Sequence, residues 1–380
     1  MFELIRSSMF EEKCTAMIDA SVYEEMCLHS IGSLPAYILK EIEMPAETRE
    51  NWKKLILQQI SHYTKYTYNQ SNIKLNVPYV ILKGTSASQY YPHPELRTMG
   101  DIDIITRRED FDAAVQQLLN DGYIIIEKLN REISFKKRDT IIELHKYFAS
   151  LNNIEQAMYM DNLIIDNITS SHILPDPING LVLLEHISQH LENGLGLRQI
   201  IDWMMFVDKC LPDEKWVEFE IMAENIGLKK LAIVTTHMCE LYMGLPTRKW
   251  CSDADDKLCK QLMDYILVCG NFGKKKTSAE NISENVFAKA GTFQTAFKLL
   301  QRRGLYNWKA AKKYKVLRPF AWVYQATRYI CKGLNREKAG TKLKEEYRAA
   351  RRRNDMFEAL GVKMSNKGIV IYKDGKYIKK

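Results

Sequence analysis

Apolar residues recur at helical spacing through the first part of the chain, change to short alternating runs near residue 76, and return to helical spacing past 150. Within residues 1–75, Trp52, Leu55, Ile56, Ile60 and Tyr63 repeat three and four apart behind Pro45, which a first helical turn tolerates. This segment is predicted to be a helical subdomain packed beside the core. From 76 the texture is that of strands. The apolar run Tyr79–Leu82 stops at Lys83-Gly84-Thr85, as a buried strand does where a turn opens a helix. After Pro92 and Pro94 the chain resumes as Gly100-Asp101-Ile102-Asp103-Ile104-Ile105. Residues i and i+2 of a strand share a face, so Asp101 and Asp103 point one way while Ile102 and Ile104 point into a core.

An amphipathic helix is predicted over Glu109–Asn120, with Phe111, Ala114, Val115, Leu118 and Leu119 inward and Gly122 as its stop. Three strands follow, Tyr123–Glu127, Glu132–Lys136 and Thr140–His145. In the last, Ile142 and Leu144 share one face, and Ile141, Glu143 and His145 the other. Beyond the Pro175-Asp176-Pro177 break, helices are predicted over Ile178–Asn193 and Leu197–Lys209, then more to about residue 300, including Leu231–Met243, with Gly270 to Gly273 closing one and Lys274 to Lys276 as a solvated turn. The pair His186 and His190 sits at i and i+4 on one face, where a buried, hydrogen-bonded pair is the expectation, and Arg198 with Asp202 has the spacing of an intrahelical ion pair. A small hairpin around Asp374-Gly375 is predicted at the end. The expected fold class is α+β, a small mixed β-sheet core flanked by a helical N-terminal and a larger helical C-terminal region. The expected division is 1–75, 76–150, 151–300 and 301–380.

Composition narrows the class. Of 380 residues, 46% are apolar and 27% charged, the balance of a globular chain. No apolar run approaches the ~20 residues that span a bilayer. The start, Met-Phe-Glu-Leu-Ile-Arg, is unlike a secretory leader, and eight scattered cysteines without a Cys-x-x-Cys pair read as small buried hydrophobes of a reducing compartment, so a cytoplasmic location is the expectation. Charge is uneven. Residues 302–353 carry 17 Lys or Arg against three acids, a net of +14, while the whole chain is +8. Trp308, Phe320, Trp322, Tyr324 and Tyr329 interleave with these cations. The stretch suits an anionic surface, whether a nucleic-acid backbone or a membrane, or else a solvated helix pair with an aromatic inner side.

Two carboxylates side by side repel and gain a raised pKa unless a cation sits between them. Asp101-x-Asp103 on a strand therefore marks a seat for a hard divalent cation. The order Gly84-Thr85, Asp101-x-Asp103 and then Glu143 on a later strand resembles the nucleotidyltransferase superfamily of DNA polymerase β type. Within it, Leu82-Lys83-Gly84, Arg97-x-x-Gly100-Asp101-Ile102-Asp103 and Ile142-Glu143-Leu144-His145 look most like the uncharacterised bacterial nucleotidyltransferase-like proteins. The resemblance covers about 70 residues of the core and extends more weakly into the helices that follow. The superfamily's usual Gly-Ser is Gly84-Thr85 here, preceded by Lys83.

The resemblance implies transfer of a nucleoside monophosphate from an NTP, with loss of pyrophosphate. It implies two ions of Mg²⁺ or Mn²⁺, roughly 3.5–4 Å apart, bridged by Asp101 and Asp103 and completed by Glu143. Backbone amides of Gly84, Thr85 and Ser86 at a helix start would hold the triphosphate. Lys83 adds charge to the phosphates or is a solvent-facing turn residue. Arg97 contacts a phosphate or anchors its loop to Asp101 or Asp103. His190 and Arg198 are further candidate nucleotide contacts. The acceptor is unidentified, with a small molecule or protein favoured over RNA. Two other functions are compatible with the sequence: a catalytically silent nucleotide-binding or scaffold relative, and a nucleic-acid- or membrane-associated protein acting through its basic region.

Overall fold

The structure, a computed structural model, describes residues 1–15, 17–151, 153–191, 194–271, 275, 293–334, 339–362, 370–373 and 376–379. Met1–Lys275 with Leu360–Val362 and Lys367–Lys380 forms one compact unit; Lys276–Ala359 with Lys363–Asn366 forms another.

The first unit is built on a five-stranded mixed sheet, confirming the α+β class. Its strands are β1 (Tyr79–Leu82), β2 (Ile102–Thr106), β3 (Ile124–Lys128), β4 (Glu132–Lys137) and β5 (Thr140–His145), in the order β1-β2-β5-β4-β3. β1 runs antiparallel to β2, β2 parallel to β5, and β5, β4 and β3 form an antiparallel meander. The parallel step places Asp103 beside Glu143 and Ile102 beside Ile142. Alternation then sorts the faces. Ile102, Ile104, Ile133, Phe135, Ile142 and Leu144 are buried together with Phe111, Ala114 and Leu118 of the helix Phe111–Asn120. Gly122, in the left-handed region at φ 85°, follows that helix. β5 is interior to the sheet, so Glu143 is not an edge residue. β3 is the exposed edge.

Helices α1 (Phe2–Phe10), α2 (Ala20–Leu28) and α3 (Ala46–Ser71) precede the sheet. The inner face of α3 is Thr48, Trp52, Gln59 and Tyr66, whereas Ile60 of the predicted stripe is exposed. Gln59 is inside because its amide donates to the carbonyls of Glu95 (3.1 Å) and Arg97 (2.8 Å) in the turn leading to β2. A short helix α4 (Gly84–Ser88) follows β1.

After the sheet come α5 (Ile154–Asp166), α6 (Asp176–Leu191), α7 (Leu197–Cys210), α8 (Trp216–Asn225), α9 (Lys229–Met243) and α10 (Asp256–Cys269). Pro177 falls in the first turn of α6, where its missing amide costs no hydrogen bond. α6 and α7 pack closely at Gly180, where a Cβ would sit 2.2 Å from the Phe206 ring. Asn179 of α6 donates to the Ser86 carbonyl at 2.8 Å and so ties this pair to α4. Gly270, at φ 65°, ends α10; Phe272, Gly273, Lys274 and Lys276 lie outside the described residues. The predicted hairpin forms from β6 (Val370–Lys373) and β7 (Lys376–Lys379), paired antiparallel, and its Asp374-Gly375 turn lies outside the described residues. Tyr377 of β7 donates to Asp161 of α5 and receives a 3.1 Å hydrogen bond from Arg108.

The second unit contains helices Phe293–Asn307, Lys309–Lys313, Ala321–Leu334 and Ala339–Ala359. Phe297 meets Trp322 at 5.5 Å, and Trp308 stacks on Tyr324 at 5.1 Å. Tyr314 and Phe320 are exposed. Among the described residues no helix is long and apolar enough to cross a membrane, and seven cysteines are free thiols, four of them buried.

Candidate active site

The polar face of the sheet opens into a cleft of about 230 Å³, walled by β1, β2, β4 and β5 and by α6 and α7. Asp103 lies at its floor and is 3% exposed. Lys83 Nζ stands 2.7 Å from Asp103 Oδ1, and His145 Nε2 donates to the same oxygen at 2.9 Å. Burial alone would raise the Asp103 pKa; the Lys83 charge and the His145 hydrogen bond outweigh it and hold it at about 2. His145 Nδ1 faces Glu132 Oε2 at 3.1 Å, an ion contact without the alignment of a hydrogen bond. Burial lowers the His145 pKa, but the hydrogen bond to Asp103 and the Glu132 carboxylate close by outweigh it, and the net shift is upward.

Glu143, one register step across on β5, keeps a 28% exposed side chain toward the cleft, and its Oε2 is 3.9 Å from His145 Nε2. Burial, then the charges of Asp101 and Asp103, push Glu143 up to about 8. Asp101 lies at the bend just before β2, half-buried, and lines the cleft. Asp103, Glu143 and His145 offer ligand atoms within 4.8 Å of one another. Two carboxylates and one imidazole with ligand atoms this close are a candidate seat for a divalent cation.

The turn after β1 is strained. Lys83 adopts φ 55°, ψ −140°, a region that side chains rarely occupy. Gly84 follows at φ 41°, and a Cβ there would sit 2.5 Å from the Tyr66 hydroxyl, so only glycine fits. Lys83 is neither solvent-facing nor turned outward; its side chain is 14% exposed and bent onto Asp103. Thr85 and Ser86 do not line the cleft. The Thr85 hydroxyl donates to Gln70 Oε1 at 3.0 Å and that of Ser86 to the Ile81 carbonyl at 2.6 Å, which commits both side chains elsewhere. Their amides and that of Gly84 precede the first intrahelical bond, Ala87 N–H to Lys83 O.

Arg97 does not reach Asp101 or Asp103 as an anchor. It makes a bidentate pair with Asp202 of α7, Nε to Oδ1 at 2.6 Å and Nη2 to Oδ2 at 2.7 Å, and Tyr91 donates to Asp202 Oδ1 at 2.7 Å. The pair fixes the turn that delivers Asp101. Asp202 is thereby engaged across the fold instead of with Arg198 one helical turn away. Arg198 Nη1 donates to the Thr98 carbonyl at 3.2 Å, while its buried Nε has no partner among the described residues. His186 and His190 hydrogen-bond to each other at 2.8 Å, as expected of a buried pair, and line the cleft. Burial, with the Lys83 charge next, lowers both, His190 to about 4, so the pair is neutral.

Five cleft residues carry no role in the sequence reading: Arg131, Glu132, His145, Phe148 and Gln189. His145 carried a readable signal, two positions from Glu143 on the same strand face. A second cluster with ligand-like spacing, His237, Glu240 and Cys251, is internally satisfied. Glu240 accepts from His237 (2.8 Å), the Arg248 amide (2.6 Å) and Cys251 (3.1 Å), and so fastens the turn after α9.

Sequence comparison agrees with this geometry. The model of a family described as uncharacterised nucleotidyltransferase matches residues 22–244, which run from within α2 through the whole five-stranded sheet and the helices to the end of α9. The chain belongs to this nucleotidyltransferase family, with nucleotidyl transfer as its general role and an NTP as the implied substrate. Neither the curated proteins nor the solved structures include a match.

Proposed function

We propose that this protein transfers a nucleoside monophosphate from an NTP to the hydroxyl of a small-molecule or protein acceptor, releasing pyrophosphate. The observation that carries the reading is the register of β2 and β5, which sets Asp103 beside Glu143 on the cleft floor with Asp101 at its rim. Asp101, Asp103 and Glu143 would hold Mg²⁺ or Mn²⁺, which when bound offsets charge gathering on the transferring phosphoryl oxygens. With a divalent cation offsetting the charges of Asp101 and Asp103, Glu143 would stand as a carboxylate able to take the acceptor's proton on an oxygen. The first-turn amides at Gly84 and the open Nε of Arg198 are donors for the triphosphate. Neutral His190 supplies a hydrogen bond without adding charge.

The reading predicts linkage between metal and nucleotide. Mg²⁺ with one of ATP, GTP, CTP or UTP should raise the melting temperature more than either component alone. At a ligand concentration 100 times Kd the gain is about 2.7 kcal/mol. Melts unmoved by every Mg²⁺–NTP pair at millimolar concentration would favour a silent scaffold.

Glu143→Gln should lower turnover at least ~10²-fold, the scale of a lost general base. Its stability effect has a definite sign. The folded pKa of about 8 lies above the ordinary 4.5, so ionisation opposes folding; wild-type stability falls as pH rises from 4.5 and the loss is complete above 8. The metal-free variant should therefore melt higher than wild type at pH 8 and converge with it near pH 4. Equal melting temperatures at both pH values, with intact turnover, would remove Glu143 from the site.

A further inference from the structure

We infer that Lys83 takes the place of a second metal ion, so that the cleft binds one divalent cation instead of two. The inference rests on the nucleotidyl-transfer reading and concerns how that site balances its charge. A two-ion clamp needs a carboxylate that offers an oxygen to each ion. Asp103, the only fully buried acid of the three, has Oδ1 taken twice, by Lys83 Nζ at 2.7 Å and His145 Nε2 at 2.9 Å. Only Oδ2 is left for an ion. An ammonium is a compact point charge with three donors, able to serve a carboxylate where a small cation would otherwise sit.

The backbone shows that this placement is built in. Among the described residues Lys83 is one of five other than glycine at positive φ. Its ψ of −140° puts it outside the ordinary left-handed well as well. Glycine would occupy that conformation without strain, and lysine there delivers a cation onto Asp103. The side chain is held from the other flank by Phe148, whose ring centroid lies 6.0 Å from Nζ. Charge supports the same count. The carboxylates of Asp101, Asp103 and Glu143 are matched by one ammonium and one divalent ion before the nucleotide enters, while Glu132 is paired with Arg131 Nε at 3.3 Å. A second ion would meet the Lys83 ammonium at the one oxygen both need, and like charges at contact in a buried site repel by several kcal/mol.

The test counts ions. Wild-type protein is dialysed to equilibrium against Mn²⁺ and an ATP analogue with a methylene group between its α and β phosphates. Bound metal and bound nucleotide per chain are then measured. The expected result is one Mn²⁺ and one nucleotide. Lys83→Met, which keeps the stem and drops the charge, should bind two Mn²⁺ per nucleotide. Lys83→Gly should do the same while relieving the strained turn, so that one variant remains informative if the other fails to fold. Two Mn²⁺ on the wild type, or one on either folded variant, overturns the inference and leaves nucleotidyl transfer standing. Nucleotide bound without any metal, or no binding at all, overturns both.

Discussion

Asp103→Asn should silence transfer and weaken the fold together, whereas Asp101→Asn should silence transfer with little change in stability. The difference follows from what each carboxylate holds. Asp103 is 3% exposed and carries the Lys83 and His145 contacts on one oxygen. Its neutral replacement leaves a buried ammonium without its counter-charge, and breaking a buried pair in this way costs about 3–5 kcal/mol. Asp101 is half-buried at the bend before β2 and has no ion-pair partner among the described residues. Both are candidate metal ligands, so turnover should fall by ~10³-fold or more in each, the scale of removing electrostatic stabilisation from a transition state. Urea melts beside turnover assays check this. Equal stability of the two variants would mean that Lys83 does not depend on Asp103.

The second large effect lies at the Arg97–Asp202 pair. Asp202→Asn should destabilise the protein by about 3–5 kcal/mol, because the buried Arg97 guanidinium loses its counter-charge and one of its two acceptors, with an amide N–H facing it instead. Arg97→Met should cost a similar amount for the mirror-image reason. The double variant Arg97→Met with Asp202→Leu should cost less than the sum of the single ones, since neither charge is then stranded. Because the pair joins the turn before Asp101 to α7, the single variants should also lose turnover without touching the carboxylates. Additive losses in a double-variant cycle would show that the pair contributes nothing as a unit.

The fold was legible where periodicity was strong. The helix Phe111–Asn120, the strands Ile102–Thr106 and Thr140–His145, and the order of acids along them all follow from alternation and from spacing of apolar residues. Alternation groups Asp101 with Asp103 and Glu143 with His145, each pair on one strand face, and the parallel register of β2 and β5 then sets Asp103 beside Glu143. Partnership was less legible. Arg97 and Asp202 are 105 positions apart, and no local pattern announces a bond between them. The i, i+4 spacing of Arg198 and Asp202 pointed instead to a local pair, yet helical spacing sets which residues can meet, and tertiary contacts decide which do. Thr85 and Ser86 followed the same rule. Their hydroxyls bond to Gln70 Oε1 and the Ile81 carbonyl, while the amides expected to hold a triphosphate precede the first intrahelical bond of α4. For Lys83 the sequence leaves a choice between phosphate and solvent, and its position is set by a strained turn that composition does not reveal.

The central claim is that the Asp101–Asp103–Glu143 cleft moves a nucleotidyl group, and transfer of label tests it directly. The purified protein is incubated with Mg²⁺ or Mn²⁺, a cell extract, and each of ATP, GTP, CTP and UTP labelled at the α-phosphate. The account predicts that one NTP places its label on an acceptor in the extract, with pyrophosphate released, and that Asp101→Asn does not. No labelled product from any of the NTPs with either metal, or equal labelling by the Asp101→Asn variant, would contradict it.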